Sequence, residues 1–324
     1  MTQYQQKMLQ IAKDFKRICD THNLRYSLYG GTLIGAVRHK GFIPWDDDMD
    51  FCMPRPDYDR LIELEKEYRQ KGQALFSGNY RLCHIALDSH TRTHGNIEDL
   101  NTTIMIDLQK DNRNNNTAVI RGVFIDIMPL DGYGNDYIEA EKLQNKIRKF
   151  CRKLSWNTLL TEHNNMYKKP RTATGKNRFF KYIKQKRYNL KHKLYLLLTK
   201  RAFIKKRLKT ISKSRENIIN LIHKYDYENS RFVGADILSP GYPKIMFLKH
   251  FVEPFSITFK FEDTEFRCMN NYEYYLRLVF DDYMIIPPPD KRVTHGFDYV
   301  NLDLPYEEFE REYRKNNPDK NVIR

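Results

Sequence analysis

Residues 30–50 join a glycine turn to a carboxylate cluster across a short helix: Gly30-Gly31-Thr32-Leu33-Ile34-Gly35-Ala36-Val37-Arg38-His39-Lys40-Gly41-Phe42-Ile43-Pro44-Trp45-Asp46-Asp47-Asp48-Met49-Asp50. Glycines let backbone N–H groups come close to a phosphate. Asp46, Asp47, Asp48 and Asp50 repel one another unless a positive charge sits between them, and a divalent cation is the usual solution. If residues 48–52 form a strand, Asp48 and Asp50 share one face, with Met49, Phe51 and Met53 on the other. Such a D-x-D pair can clamp Mg²⁺, which takes oxygen ligands. A calcium loop of the EF-hand type does not fit. Counted from Asp46, its sixth residue is Phe51 instead of Gly and its twelfth is Asp57 instead of Glu. The plainer alternative, an acidic surface turn, sits poorly beside Phe42, Ile43, Trp45 and Met49, which read as buried.

A third carboxylate stands alone in an apolar run. Residues 122–132, Gly-Val-Phe-Ile-Asp-Ile-Met-Pro-Leu-Asp-Gly, have strand character with Asp126 at the centre. A charge there costs several kcal/mol unless it is paired or binds a metal. Asp126 is therefore expected to complete the site from a neighbouring strand, the alternative being a partner Arg or backbone amides. Asp131, in Leu-Asp-Gly, reads as a turn residue.

The periodicity lays out an α+β chain without internal repeats. Met8, Ile11, Ala12, Phe15 and Ile18 mark a helix over 3–21. A strand over 25–29 leads into the glycine turn, and a helix over 32–39 leaves it. Asp57 is placed to cap a helix running to about Arg69. Strands are expected over 80–87, 103–108 and 122–128, a polar loop over 111–117, and a helix over 136–155. Further on, 254–261 and 265–268 read as a strand pair turning at Glu262-Asp263, and 271–280 as a helix rich in Tyr and Leu. Pro287-Pro288-Pro289 forces an extended segment that delivers Lys291, Arg292 and His295 to a fixed place.

Charge is distributed unevenly. The 324 residues carry 56 Lys and Arg against 41 Asp and Glu, a net charge of +15. Between His163 and Arg215 there are 19 basic residues and no acid, so the remainder is slightly acidic. The expected organisation is a core over 1–160, a basic helical insertion over 161–220 with a break at 170–175, and a completing segment over 221–324. Inside the insertion, Leu194–Leu198 and Ala202–Ile204 interrupt the basic clusters, a pattern suited to an anionic membrane surface. A lipid-linked polyanionic glycan would attract the same surface. A solvated helical arm is the bland reading, and nucleic acid the least favoured partner.

The five cysteines form no C-x-x-C pair and their odd count argues against a disulfide framework; Cys83-His84 lacks a second ligand pair for zinc. The polar N-terminus has no signal-peptide core, and no run approaches the ~18 apolar residues of a membrane span. These features lead us to expect a cytoplasmic protein, peripheral on the inner face of the plasma membrane.

The segments YGGTLIGAVRHKGFIPWDDDMDFCMPRPDYDRL, VFIDIMPLDG and FEDTEFRCMNNYEYYLRLVFDDYMIIPPPDKRVTH closely resemble the LicD family of phosphotransferases. This family includes bacterial enzymes that place phosphocholine on surface glycans and the fukutin-type ribitol-phosphate transferases. The resemblance spans 1–135 and roughly 230–300. It implies a nucleotidyltransferase-like mixed sheet flanked by helices. Position by position, it also implies a turn at Gly30 and Gly31, a metal pair at Asp48 and Asp50, and a third acid at Asp126. Where many relatives have Tyr-Gly-Asp-Tyr-Met, this chain has Phe280-Asp281-Asp282-Tyr283-Met284.

The expected activity is transfer of a phosphoalcohol, foremost phosphocholine from CDP-choline, to a hydroxyl of a cell-surface glycan such as lipopolysaccharide, teichoic acid or capsule. Asp46, Asp48, Asp50 and Asp126 would hold Mg²⁺ or Mn²⁺. Gly30, Gly31, Thr32, Arg38, His39, Arg292 and His295 would meet the donor. The alternatives are a nucleotidyltransferase releasing pyrophosphate and a non-catalytic membrane-associated adaptor.

Overall fold

The computed structural model describes residues 1–84, 86–88, 94–107, 117–162, 213, 216–235, 246–292, 294, 296–318 and 320–323. Most of the basic segment over 163–215, the loop over 111–116 and His295 lie outside the described residues.

Helix α1 (Gln3–Thr21) opens with a reciprocal cap. The Thr2 hydroxyl accepts from the Gln5 N–H, and the Gln5 side chain accepts from the Thr2 N–H. Its stripe of Met8, Ile11, Ala12, Phe15 and Ile18 is fully buried, as the periodicity anticipates. A short strand β1 (Ser27–Leu28) leads into helix α2 (Gly30–Ile34). The helix expected over 32–39 is two pieces, α2 and a wider π-helical turn over Gly35–His39.

The centre of the molecule is the parallel pair β2 (Asp50–Pro54) and β5 (Thr117–Gly132). β4 (Gly95–Asp107) runs antiparallel on the other side of β5 and carries β3 (Tyr80–Cys83) and β10 (Tyr299–Asn301) on its far edge. With β6 (Phe232–Gly234), β7 (Phe247–Leu248) and β11 (Asn321–Ile323), the described residues form a nine-stranded mixed sheet. A separate hairpin, β8 (Ile257–Phe261) and β9 (Thr264–Cys268), turns at Glu262-Asp263 as expected.

Phe51, Ile97, Ile125 and Ile127 alternate onto one buried face of the sheet, where Phe15 of α1 meets Phe51 with ring centroids 5.0 Å apart. The C-terminal third enters the same core through Phe266, 5.3 Å from Phe51. A bulge between Asp99 and Ile104 keeps β4 in step with β5. Gly122 sits opposite, where an added Cβ would lie 2.1 Å from the Asp99 carbonyl oxygen. The Thr102 hydroxyl accepts from the Val123 N–H at 2.8 Å.

Several local expectations need correction. The strand carrying the acids begins at Asp50, so Asp48 lies in the preceding loop; β1 pairs only as far as Leu28 with Phe51. Helix α3 (Arg55–Gln70) starts before Asp57, which does not cap it. The Asp57 carboxylate instead accepts from the Arg25 backbone N–H and Nε at 2.9 and 2.8 Å. β4 begins eight residues before the expected strand, because Asn96, Glu98 and Asp99 are polar yet buried. Asp131 is no exposed turn: it ends β5 fully buried, 2.6 Å from Arg55 Nε. The helix expected over 136–155 extends further as α4 (Tyr137–Glu162).

Helix α5 (Lys249–Val252) precedes the hairpin, and α6 (Tyr272–Phe280), capped by Asn271, follows it. Helix α7 (Tyr306–Asn316) packs against β4 and β5. α6 ends on Asp281 at φ 57° and ψ −120°, a conformation that suits glycine, the residue the resemblance places there. Asp281→Gly is expected to raise stability by about 1 kcal/mol, read as a higher urea midpoint at unchanged slope.

Candidate functional site

The acids are brought together by strand register. Asp50 pairs with Asp126 across the parallel β2–β5 ladder, and Asn96 pairs with Asp126 across the antiparallel β5–β4 ladder. Paired residues project to the same face, so Asp50, Asp126 and Asn96 form a rank across three strands, opposite the Phe51–Ile125–Ile97 face. The Asp126 N–H donates to the Met49 carbonyl at 2.9 Å, extending the strand contact one residue ahead of β2.

Asp46, Asp47 and Asp48 approach from the loop before β2. Gln5 of α1 donates through Nε2 to the Asp46 carbonyl at 3.0 Å and to Ile43 at 3.3 Å, so the helix cap also braces the acid loop. Gly296 donates its N–H to Asp47 Oδ2 at 2.9 Å. Burial, then the charges of Asp48, Asp126 and Asp46, push the Asp50 carboxyl well above the usual carboxylate range. The nearby hydroxyl of Tyr4 is also raised, first by burial and then by Asp47. Among the described residues, no three Asp, Glu, His or Cys side chains are grouped closely enough to hold a metal ion as they stand. The donors are nevertheless all oxygens, the set that suits a hard divalent cation.

The glycines make room for the acids. Gly30 has φ +55°, and an added Cβ would stand 2.6 Å from Asp50 Oδ2; at Gly31 it would stand 3.2 Å from Asp46 Oδ2. The Gly30 N–H is engaged by the Tyr275 hydroxyl of α6 at 3.0 Å, with Tyr275 stacked on Tyr29 at 4.9 Å. That amide is therefore not presented to a phosphate. The Thr32 hydroxyl accepts from the Asp50 N–H at 2.8 Å and so fixes the start of β2.

Arg38 points to the C-terminal tail. Its Nη1 donates to the carbonyls of Tyr283 and Ile285 at 2.5 and 3.1 Å, and burial lowers its pKa. Burial and then Arg38 lower that of His39. Trp45, next to Asp46, gathers two of the anticipated donor-binding residues: the Arg292 guanidinium lies 4.1 Å from its ring centroid and the His39 ring 6.5 Å away. The polyproline stretch thus delivers Arg292 to a defined place beside the acid loop.

Several participants escape the sequence reasoning. Asn96 Nδ2 donates to Asp126 Oδ1, and His94 Nε2 stands 3.4 Å from the same oxygen. The alternation of Asn96, Ile97 and Glu98 carried a strand signal that their polarity obscured. Tyr275 read only as one aromatic of an amphipathic helix.

Residues 23–82 match the family described as LicD/FKTN/FKRP, nucleotidyltransferase domain. The chain is 29% identical over 290 residues to the lipopolysaccharide cholinephosphotransferase LicD of Haemophilus influenzae, covering 89% of this chain and 92% of that protein. The chain thus carries a LicD-family domain match over residues 23–82 and resembles a LicD protein over most of its length. Uncharacterized proteins of Rickettsia prowazekii and Rickettsia typhi are each 34% identical over 77 residues, 24% of this chain and 29% and 23% of theirs. The LicD-family match includes Gly30, Gly31, Asp46, Asp48 and Asp50 and stops before Asn96 and Asp126.

Gly30→Ala and Gly72→Ala both place a side chain at positive φ, but only at Gly30 does the new Cβ meet a neighbour. Gly72→Ala is expected to cost about 1 kcal/mol. Gly30→Ala should cost clearly more because Asp50 must move, a difference measurable by parallel thermal melts.

Proposed function

We propose that this protein transfers phosphocholine from a CDP-activated donor to a hydroxyl of a surface glycan. The observation that carries this reading is the rank of Asp50 and Asp126 on adjacent parallel strands, with Asp46 and Asp48 in the loop beside them. Similarity to a lipopolysaccharide cholinephosphotransferase over most of both chains supports the transferred group and points to lipopolysaccharide as the acceptor class. The family description supports a nucleotidyltransferase-like core.

In this reading Asp48, Asp50 and Asp126, with Asp46, hold Mg²⁺ or Mn²⁺. The bound cation would neutralise charge on the donor diphosphate and on the departing nucleotide phosphate. The chain's own part is to orient the reactants. Gly30 and Gly31 let Asp50 and Asp46 approach the helix α2 backbone, and Thr32 fixes the Asp50 main chain. Arg292 and His39, both against Trp45, line the approach to the acid loop and would meet the donor phosphates. As the acceptor oxygen forms its bond to phosphorus, the bond to the CMP phosphate breaks and CMP leaves. The acceptor hydroxyl proton passes to Asp126 if Asp46, Asp48 and Asp50 hold the cation without it, and to solvent if Asp126 is a ligand.

The test is CMP release from CDP-choline with Mg²⁺ or Mn²⁺, using CDP-ribitol, CDP-glycerol and nucleoside triphosphates for comparison. Wild type is expected to release CMP from CDP-choline only with metal. Asp48→Asn should lose at least about 100-fold in kcat while melting like wild type. Wild-type rates in that variant would remove the carboxylate clamp. Pyrophosphate release from a triphosphate would show a nucleotidyltransferase, and no metal-dependent nucleotide binding at all would favour an adaptor.

We also propose peripheral attachment to an anionic membrane. The basic stretch over 163–215 supports it, as do the exposed side chains of Leu278, Phe280, Met284, Ile285 and Ile286 beside the tail that Arg38 holds. No helix among the described residues is long and apolar enough to cross a membrane. Wild type should sediment with vesicles containing phosphatidylglycerol and not with pure phosphatidylcholine, and Ile285→Asp with Ile286→Asp should weaken that binding. Equal sedimentation of both proteins would exclude the apolar loop from the contact.

A further inference from the structure

Asn96 is completely buried and stands directly across the antiparallel ladder from Asp126. Its Nδ2 donates to Asp126 Oδ1, while its own Oδ1 has no hydrogen-bond partner among the described residues. A buried amide left half-satisfied is costly, so the bond it does make must justify its place. An apolar residue would suit this position if packing were the sole requirement. On either side of Asn96 the chain places Gly95 and Ile97, and its antiparallel neighbour on β3 is Cys83.

The chemistry required at this point is narrow. Asp126 lies in a group of carboxylates whose mutual repulsion tends to turn its side chain away from Asp50. A cationic neighbour would restrain Asp126 but would also cancel the negative charge that attracts a cation. Another acid would increase the repulsion. A short neutral donor fixed across the ladder restrains one oxygen and leaves the site's charge unchanged.

We propose that Asn96 is the positioning residue of the carboxylate site: it fixes Asp126 Oδ1 so that the other oxygen faces Asp50 and a divalent cation. This rests on the reading that Asp50 and Asp126 hold such a cation. His94 Nε2 stands 3.4 Å from the same oxygen, and the hydrogen bond that restrains Oδ1 is the one from Asn96.

The test is Mn²⁺ titration by calorimetry of the full chain without nucleotide, first for wild type and then for Asn96→Leu and Asn96→Asp. Leu has nearly the same size without a donor, and Asp keeps the shape and reverses the hydrogen-bonding role. Both variants are expected to bind Mn²⁺ about 10- to 100-fold more weakly, with CMP binding measured without metal unchanged. In turnover assays kcat should fall with little change in the KM for donor. Wild-type Mn²⁺ affinity in a folded variant, even with a lower melting temperature, would show that Asn96 only packs and would overturn the proposal. If Asn96→Leu does not fold, Asn96→Asp decides alone. Absence of Mn²⁺ binding by wild type would remove the cation reading itself and this proposal with it.

Discussion

The parallel pairing of β2 with β5 is the constraint on which the site depends. It sets Asp50 beside Asp126 on one face, an arrangement of like charges that opposes folding unless something offsets it. The other face of the same strands carries Phe51, Ile125 and Ile127, all fully buried against the core that α1 completes. Because strand side chains alternate, a one-residue slip would turn the acids into the apolar core and the apolar residues onto the acid face. The core therefore holds the acids in register, and the free energy that tolerates their repulsion comes from the apolar face.

The surrounding chain is arranged to let the acids approach. Gly30 and Gly31 remove the side chains that would collide with Asp50 and Asp46. Gln5 braces the acid loop from α1, Thr32 fixes the start of β2, and Tyr275 holds the Gly30 amide from α6. These supports come from residues far apart in sequence. The C-terminal tail is joined to the same unit through Arg38 at Tyr283 and Ile285, through Arg292 on Trp45, and through Gly296 at Asp47.

Much of this could be read in the sequence where local chemistry conflicts with context. A lone acid in a β-branched run singles out Asp126 and the D-x-D spacing singles out Asp50, and the strand register sets the two side by side. The helix over 272–280 and the hairpin at Glu262-Asp263 followed from periodicity and turn residues. The first half of β4 was hidden because its buried polar residues find partners that only the fold supplies. Glu98 pairs with Arg121, and Asn96 with Asp126. Asp131 reads as a turn residue for the same reason, since its partner Arg55 lies 76 positions away. Asp48 was placed in the strand because alternation alone does not show where pairing begins. The basic segment over 163–215 lies largely outside the described residues.

The central claim is that the β2–β5 register builds a cation site shared between two strands. Anomalous diffraction from crystals grown with Mn²⁺ and CMP tests it most directly. The account predicts a manganese peak within ligating distance of both Asp50 and Asp126, with Asp48 or Asp46 completing the protein ligands. Manganese bound away from that pair, or no peak at saturating Mn²⁺, would contradict it.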